Sequence, residues 1–485
     1  MARGLIYNTL AQIVFILTAM GIHFWLGREL GQATYGDVVV ILSVATVTCL
    51  ALKNGLREST SRFIAAGSDN HTGVYLAAMK VQILLAVGIT AIVFFGSDAI
   101  ACELNDLSLS KYLKVIAFQA PAMGVYYLSY GLFNGRKQFG RQALLTAVHA
   151  LLRITFVIAL VLLGMKVAGV VWGTVAAAAG TGLLGLTITM RTRPKQRFPV
   201  WPIVRYALPI AVFFTSVALL MNIDILMLKR MQPTAAAVGE YGAARTFARV
   251  PFFLLTAFYG VLLPLVASAH AENNHKLVRR HISLAVRSLL MILLPVLALL
   301  SSSAEGIVVL FYGPRFSEAA APLSVLCIGV GFLLLTVQLV TVLQATGRPR
   351  AGSFLMVALL PVDVALCAVL IPRYGTMGAA LSTTLATGIG FVAAAGYICV
   401  VFKALPSLRS VANIMVSAVM VYLLGRSFPF HGALLLMLFV VAGVLYLVCL
   451  VLRGEFSAED WRVLKSQIFS IGARNQAESV SDGGA

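Results

Sequence analysis

The chain has 485 residues, of which 60% are hydrophobic and 11% charged, and its mean hydropathy is +0.93. A soluble domain carries about 25% charged residues, so the composition excludes a soluble globular protein and describes an integral membrane one. The net charge of +19 would point to nucleic acid if the cations were clustered on one domain, but they are spread through loops between apolar runs.

A membrane-crossing helix needs about 20 mainly apolar residues. In chain order the candidates are residues 5–26, 36–57, 73–96, 111–133, 143–164, 168–190, 206–229, 243–267, 283–303, 322–344, 352–371, 377–401, 411–427 and 432–452, fourteen spans in all. Each is expected to be helical, because lipid offers the backbone no hydrogen-bond partners. The first run is too long for a signal-peptide core and has no small-residue cleavage site, so it is expected to stay in the mature chain. Prolines fall inside spans at Pro121, Pro251, Pro264, Pro295 and Pro361, where each removes a backbone hydrogen bond and bends its helix. Span thirteen is the least regular, interrupted by Asn413 and Arg426.

The punctuation of the chain repeats at an offset of about 210 residues. Tyr35-Gly36 returns as Tyr241-Gly242, Gly135-Arg136 as Gly347-Arg348, and the segment Met165 to Gly169 as Tyr374 to Gly378. Six spans per repeat keep both halves in one orientation, giving parallel repeats about an axis along the membrane normal. The expected organisation is an N-terminal lobe over residues 1–190, a linker over 191–205 and a second lobe over 206–401. Spans thirteen and fourteen follow over 402–452, then a partly disordered tail over 453–485. Two such lobes are the framework of an alternating-access transporter.

Lys and Arg gather in alternate loops, at Arg136/Lys137/Arg141, Arg191–Arg205, Lys276/Arg279/Arg280, Arg348/Arg350, Lys403/Arg409 and the tail. The loop between spans three and four instead carries Asp98, Glu103 and Asp106. This is the positive-inside pattern, and it predicts that both termini and the linker are cytoplasmic.

Charges inside the spans need an explanation. Arg153 lies near the middle of span five, with His149 and Thr146 on the same face. Lys53 and Arg57 lie one turn apart in span two, and Arg245 and Arg249 one turn apart in span eight. A central Lys or Arg costs about 2.5–3.5 kcal/mol on insertion scales, and only Asp224 and Asp363 lie well inside spans as acidic partners. Two readings stand. The cations either pair and snorkel, with Asp224–Arg249 the expected ion pair, or they line a water-filled cavity for an anionic substrate. Arg suits the second because its planar fork holds phosphate oxygens bidentately.

Asp363 follows Pro361 in span eleven, and span twelve offers Ser382, Thr383, Thr384 and Thr387. Hard oxygens of this kind suit a small cation or a proton, while the plain alternative is a carboxylate satisfied by neighbouring hydroxyls. Asn8 and Gln12 in span one, and Gln338, Thr341 and Gln344 in span ten, read as interhelical hydrogen bonding. Tyr126, Tyr127 and Tyr130 in span four read as aromatic packing or as sugar-stacking rings. The six cysteines lack paired or metal-ligand spacing. His270, His275 and His281 read as solvated loop residues. No loop is long enough for a catalytic domain, and no catalytic residue, metal site or cofactor is expected beyond H+ or Na+ as a coupling ion.

The segments "RELGQATYGD" after span one, "LFYGPRFSEAAAPL" before span ten, "LQATGRPR" after it, "IPRYGTMGAALSTTLAT" into span twelve and "GEFSAEDW" after span fourteen resemble oligosaccharide flippases. These form the polysaccharide-transporter branch of the multidrug/oligosaccharidyl-lipid/polysaccharide exporter superfamily, and the resemblance covers essentially the whole chain. It implies an all-α polytopic fold of two six-helix lobes plus two C-terminal helices. The implied activity moves undecaprenyl-diphosphate-linked glycans, of O-antigen, capsule or exopolysaccharide, from the cytoplasmic to the periplasmic leaflet of a bacterial inner membrane.

Lipid II flippases of the superfamily use cavity arginines on spans one, two and eight. Arg57 and Arg249 match the last two, whereas span one offers Asn8 and Gln12. Their acidic cation-site residues on spans seven and eleven correspond to Asp224 and Asp363. A multidrug antiporter of the same fold is the alternative, with a polytopic glycan polymerase or acyltransferase third. Expected partners are the lipid-linked oligosaccharide, membrane lipid, and a glycan polymerase with its chain-length regulator. Nucleic acid is not a partner, and the chain is expected to act as a monomer.

Overall fold

The computed structural model describes residues 2–66, 70–189, 197–232, 234–255, 257–428 and 432–455. Eighteen α-helices follow one another, with no strand among the described residues. The first half holds α1 (Ala2–Lys53), α2 (Gly55–Ala65), α3 (His71–Glu103), α4 (Ser110–Ile116), α5 (Gln119–Gly135), α6 (Phe139–Leu160) and α7 (Lys166–Thr189). The second holds α8 (Val200–Leu220), α9 (Ile223–Met231), α10 (Ala235–Ala248), α11 (Val250–Leu255), α12 (Ala257–Ala271), α13 (His275–Ser302), α14 (Ala304–Tyr312), α15 (Ala320–Ala345) and α16 (Pro349–Phe402). Last come α17 (Leu408–Ser427) and α18 (Ala433–Leu452).

Among the described residues, nine helical stretches are long and apolar enough to cross a membrane. Three of these, Leu10–Ala65, Phe139–Thr189 and Pro349–Phe402, run for 56, 51 and 54 residues and each holds two expected spans. Span four is divided into α4 and α5, and span eight into α10, α11 and α12. With those restored, all fourteen expected spans have helical counterparts, and the chain is an all-α, multi-pass membrane protein.

Within the three long stretches the chain reverses without a loop. The turns sit at Gly31 (φ 74°), Gly164 (φ 87°) and Gly375 (φ 58°), in the left-handed region that only glycine enters cheaply. After the second and third turns the helices pack backbone to backbone. A Cβ on Gly169 would stand 2.8 Å from the Leu160 carbonyl carbon, and one on Gly378 2.2 Å from the Leu370 oxygen. The two glycines thus do the same work in both halves, at the offset read from the sequence.

The Gly135/Gly347 correspondence shifts by two residues. Lys137 and Gly347 are the left-handed residues, and each is followed by the same closing bond, Gln138 N to Phe133 O and Arg348 N to Leu343 O, both 2.8 Å. One further boundary differs. Residues 200–205 of the expected linker belong to α8 rather than to a loop, and Pro199 before them is extended. The expected tail beyond residue 455, and the basic segment 190–196, lie outside the described residues.

The polar interruption at Asn413 has a structural purpose. Glu455, just past α18, accepts from Ser410 Oγ (2.5 Å) and Asn413 Nδ2 (2.9 Å) and pairs with Arg287 Nε at 3.3 Å. It therefore ties α13, α17 and α18 together at one end. Burial pushes this carboxyl up, but the hydrogen bonds and the Arg287 charge outweigh it, and Glu455 is held below the ordinary value of 4.5. A depressed folded-state value stabilises above 4.5 and loses that contribution as pH falls below it. Glu455→Gln should lower stability in a detergent thermal melt at pH 7 by about 1.5–3 kcal/mol, and the difference from wild type should shrink towards pH 3.

Candidate functional site

Between the two halves lies a cavity of about 320 Å³. Its walls come from both ends of α1, from α5, α6 and α7, and across from them from α10 and α11. Three helix breaks open onto it. Span two breaks at Asn54, just after Lys53, span seven at Met221-Asn222, and span eight at Arg249, two residues before Pro251. Breaks in spanning helices are tolerated where the freed backbone lines a polar cavity or meets protein partners.

Four of the five expected cations line this cavity: Lys53, Arg153, Arg245 and Arg249. His23 and His149 join them, and no carboxylate is among the lining residues. Lys53 is exposed to the cavity. Arg153 has no ion pair or hydrogen bond among the described residues, and its Nε is buried without a partner. His149 Nδ1 lies 3.1 Å from Thr181 Oγ1, and its ring lies 5.2 Å from that of Tyr126. Of the three tyrosines only Tyr127 reaches the cavity, while Tyr126 packs behind it and Tyr130 accepts from Gln12 Nε2 at 3.4 Å.

Two assignments need correction. Arg57 does not line the cavity: it donates to its neighbour Glu58 through Nε (3.0 Å) and Nη2 (2.6 Å), and stacks 5.2 Å from the Tyr130 ring centroid. A charge-assisted fork to a carboxylate outcompetes an open position. The partner of Asp224 is Arg245, at 3.4 Å, and not Arg249. Both groups are almost wholly buried, at 3% side-chain exposure each. Asp224 also accepts from Tyr241 OH (2.8 Å) and the Ile225 amide (2.8 Å). Arg245 in turn donates to the Met221 carbonyl freed by the helix break (2.6 Å).

Asn222 is the residue that sequence reasoning missed here. Its Oδ1 accepts from Arg245 at 3.0 Å and from Arg249 at 3.4 Å, so one amide holds both guanidiniums. His23 was missed too. It supplies the polar side chain that span one contributes to the cavity, where Asn8 and Gln12 were expected. Gln12 is occupied with Tyr130, and the Asn8 side chain lies outside the described ones. The available signal was a histidine within an apolar run.

Asp363 lies apart from the cavity lining, fully buried, with Oδ2 lacking a hydrogen-bond partner among the described residues. Its neighbour is Cys367 Sγ, 4.0 Å from Oδ1, which is itself 3.0 Å from Ser382 Oγ. Two expected ligand hydroxyls are committed elsewhere. Thr384 Oγ1 donates to the Val325 and Ala380 carbonyls, and Thr387 Oγ1 to those of Gly329 and Thr383. They fasten α16 to α15, whose Gly329 leaves no room for a side chain against Thr384. Thr383, buried with an unpartnered hydroxyl, remains uncommitted. No cluster of metal-ligating residues occurs among the described ones.

One end of the cavity is shut by contacts between the halves. Lys229 Nζ donates to Asp37 (3.0 Å) and Asp106 (2.8 Å), and Arg230 pairs with Glu103 at 2.5 Å. Backbones touch there: a Cβ on Gly36 would lie 2.2 Å from the Ala235 oxygen, and one on Gly239 2.0 Å from the Gln32 oxygen. At the other end α2 meets α8, with Ser59 Oγ donating to the Ile203 carbonyl at 2.9 Å.

Residues 1–270 match the family model described as polysaccharide biosynthesis protein. The chain belongs to that family. Among curated relatives it is similar to the lipid II flippase MurJ of Bacillus subtilis, 22% identical over 427 residues covering 78% of this chain and 76% of the relative. It is also similar to the probable low-salt glycan biosynthesis flippase Agl15 of Haloferax volcanii, 22% identical over 79% of this chain and 80% of that one. Among solved structures, a lipid II flippase MurJ in an inward closed conformation superposes with a TM-score of 0.72 over 93% of this chain and 98% of its own, at 13% identity. An inward-facing multidrug transporter of the MATE family, in the MOP superfamily, gives 0.69 over 82% and 98% at 18% identity. At these identities the superpositions establish the fold. They agree with the resemblance carried by the loop motifs.

Proposed function

We propose that this polysaccharide biosynthesis family member is an alternating-access flippase for undecaprenyl-diphosphate-linked oligosaccharide, the precursor of O-antigen, capsule or exopolysaccharide. The observation that carries the reading is the inter-half cavity lined by Lys53, Arg153, Arg245 and Arg249 with no carboxylate in its lining. A diphosphate moving through a low-dielectric cavity needs compensating cations, and guanidinium forks supply them without losing charge. The two relatives named as flippases support the transport class. The fold is shared with a multidrug transporter, but a cationic drug would enter against the like charges of Lys53, Arg153 and Arg249, Arg245 being matched by Asp224.

On this reading the basic loops place both termini in the cytoplasm of a bacterial inner membrane, and the end closed by Lys229, Asp37 and Asp106 is periplasmic. Asp363 is the coupling site for a proton or sodium ion, because a buried carboxylate with an unpartnered oxygen is costly unless a cation meets it. The protein works as a monomer beside a glycan polymerase and its chain-length regulator.

The test is transbilayer movement in proteoliposomes holding the purified full chain. Fluorescent undecaprenyl-diphosphate oligosaccharide should cross at least about tenfold faster than in protein-free vesicles. Movement of a cationic dye without movement of the lipid-linked glycan would select the antiporter reading instead.

A further inference from the structure

Arg426, the second polar interruption of span thirteen, borders a separate cavity of about 350 Å³ where α13 ends, α14 and α15 begin and α17 ends. It is lined by Ser301, Ser302, Ser303, Glu305, Ser324 and Arg426, together with Ala304 and Gly306. Nothing in the proposed transport reading uses these residues. Arg426 and Glu305 are both exposed, and neither has an ion pair or hydrogen bond among the described residues.

Three features make this a built site. The first bond of α14 runs from Ile307 N to Ser303 O at 3.0 Å, which leaves the amides of Ala304, Glu305 and Gly306 unpaired inside the helix, and Ser303 does not cap them. Ser303 itself is only 8% exposed, and its hydroxyl has no hydrogen-bond partner among the described residues. Finally, α17 comes close at Gly425, where a Cβ would lie 2.2 Å from Ser302 Oγ, and this approach delivers Arg426 to the helix N-terminus.

We propose that this cavity binds the phosphoethanolamine headgroup of a membrane phospholipid. Unpaired amides at a helix N-terminus and a guanidinium are a phosphate site. Glu305 lines the same rim with no ion pair among the described residues, so a ligand that carries both signs matches both charges of the site. An ammonium a few bonds from the phosphate meets that requirement, whereas phosphatidylglycerol does not. Acyl chains have a path, because Val419, Tyr422 and Leu423 are exposed on the face of α17 that leads from Arg426.

The experiment is native mass spectrometry of the delipidated full chain in detergent, supplied with equal amounts of phosphatidylethanolamine and phosphatidylglycerol. Wild type should retain phosphatidylethanolamine preferentially. Arg426→Gln should reduce that retention at least about tenfold, while Glu305→Gln should abolish the preference between the two lipids. Arg409→Gln, a cation at the other end of α17, should behave as wild type. Both test positions are exposed, so melting should be unchanged, and each variant reports independently if the other misfolds. The proposal is overturned if wild type retains the two lipids equally, if Arg426→Gln matches Arg409→Gln, or if millimolar inorganic phosphate displaces the lipid completely, which would make this a free-anion site.

Discussion

Arg153→Ala should cut glycan export at least about tenfold while the protein still inserts at normal abundance. Arg153 has no carboxylate or hydrogen-bond partner among the described residues, and its Nε is buried. It therefore stabilises nothing that the substitution would leave unpaired, and its removal relieves an insertion cost of about 2.5–3.5 kcal/mol. What is lost is charge facing the cavity. A charge-assisted hydrogen bond is worth about 1.5–3 kcal/mol, so flipping should slow by about ten- to a hundred-fold. Arg57→Ala, by contrast, removes a group already satisfied by Glu58 and should leave most transport intact. The measurements are the proteoliposome rate and an immunoblot of membrane fractions. Normal export by Arg153→Ala would remove the central residue of the anion cavity, and low abundance with normal activity per molecule would give Arg153 a structural role.

Asp224→Asn and Asp363→Asn should fail in different ways. Asp224 holds the buried Arg245 and accepts from Tyr241. Neutralising it leaves a cation with 3% exposure unpaired, at a cost of about 3–5 kcal/mol, so folded protein should fall sharply. Among the described residues Asp363 has Cys367 near one oxygen and no hydrogen-bond partner on the other, so the isosteric amide should leave abundance unchanged. Its effect should appear in vesicles with imposed gradients, where flipping loses its dependence on the proton or sodium gradient. A ligand drives the cycle only if it binds one conformation better than another. Full gradient dependence in Asp363→Asn would reduce this patch to packing. The mirror result, Asp224→Asn folding normally but uncoupled, would move the coupling site to Asp224.

Much of this molecule was legible in its sequence because the membrane penalises exceptions. Hydropathy located all fourteen spans, since lipid tolerates little but apolar helix. The paired glycines Gly169 and Gly378 exposed the duplication, because backbone contact at 2.2–2.8 Å admits no side chain at either place. Lys53, Arg153, Arg245 and Arg249 stood out for the same reason, as charges with no cheap place in a bilayer.

Partner choice, in contrast, was decided only by the fold. Arg245 and Arg249 lie one turn apart on one face, so their depth could not say which meets Asp224; the break at Met221-Asn222 chose Arg245 by offering it a carbonyl as well. Arg57 turned to Glu58, although neighbours in sequence point about 100° apart on a regular helix. Thr384 and Thr387 were drawn to carbonyls of α15 because that helix lies close enough to reach. Asn413 and Arg426 looked alike as defects in span thirteen, and only the packed structure gives one to Glu455 and the other to an open cavity. Hydropathy reports what each residue costs in lipid, a property of the residue alone, whereas a pair depends on the distance between two helices, and that distance exists only after packing.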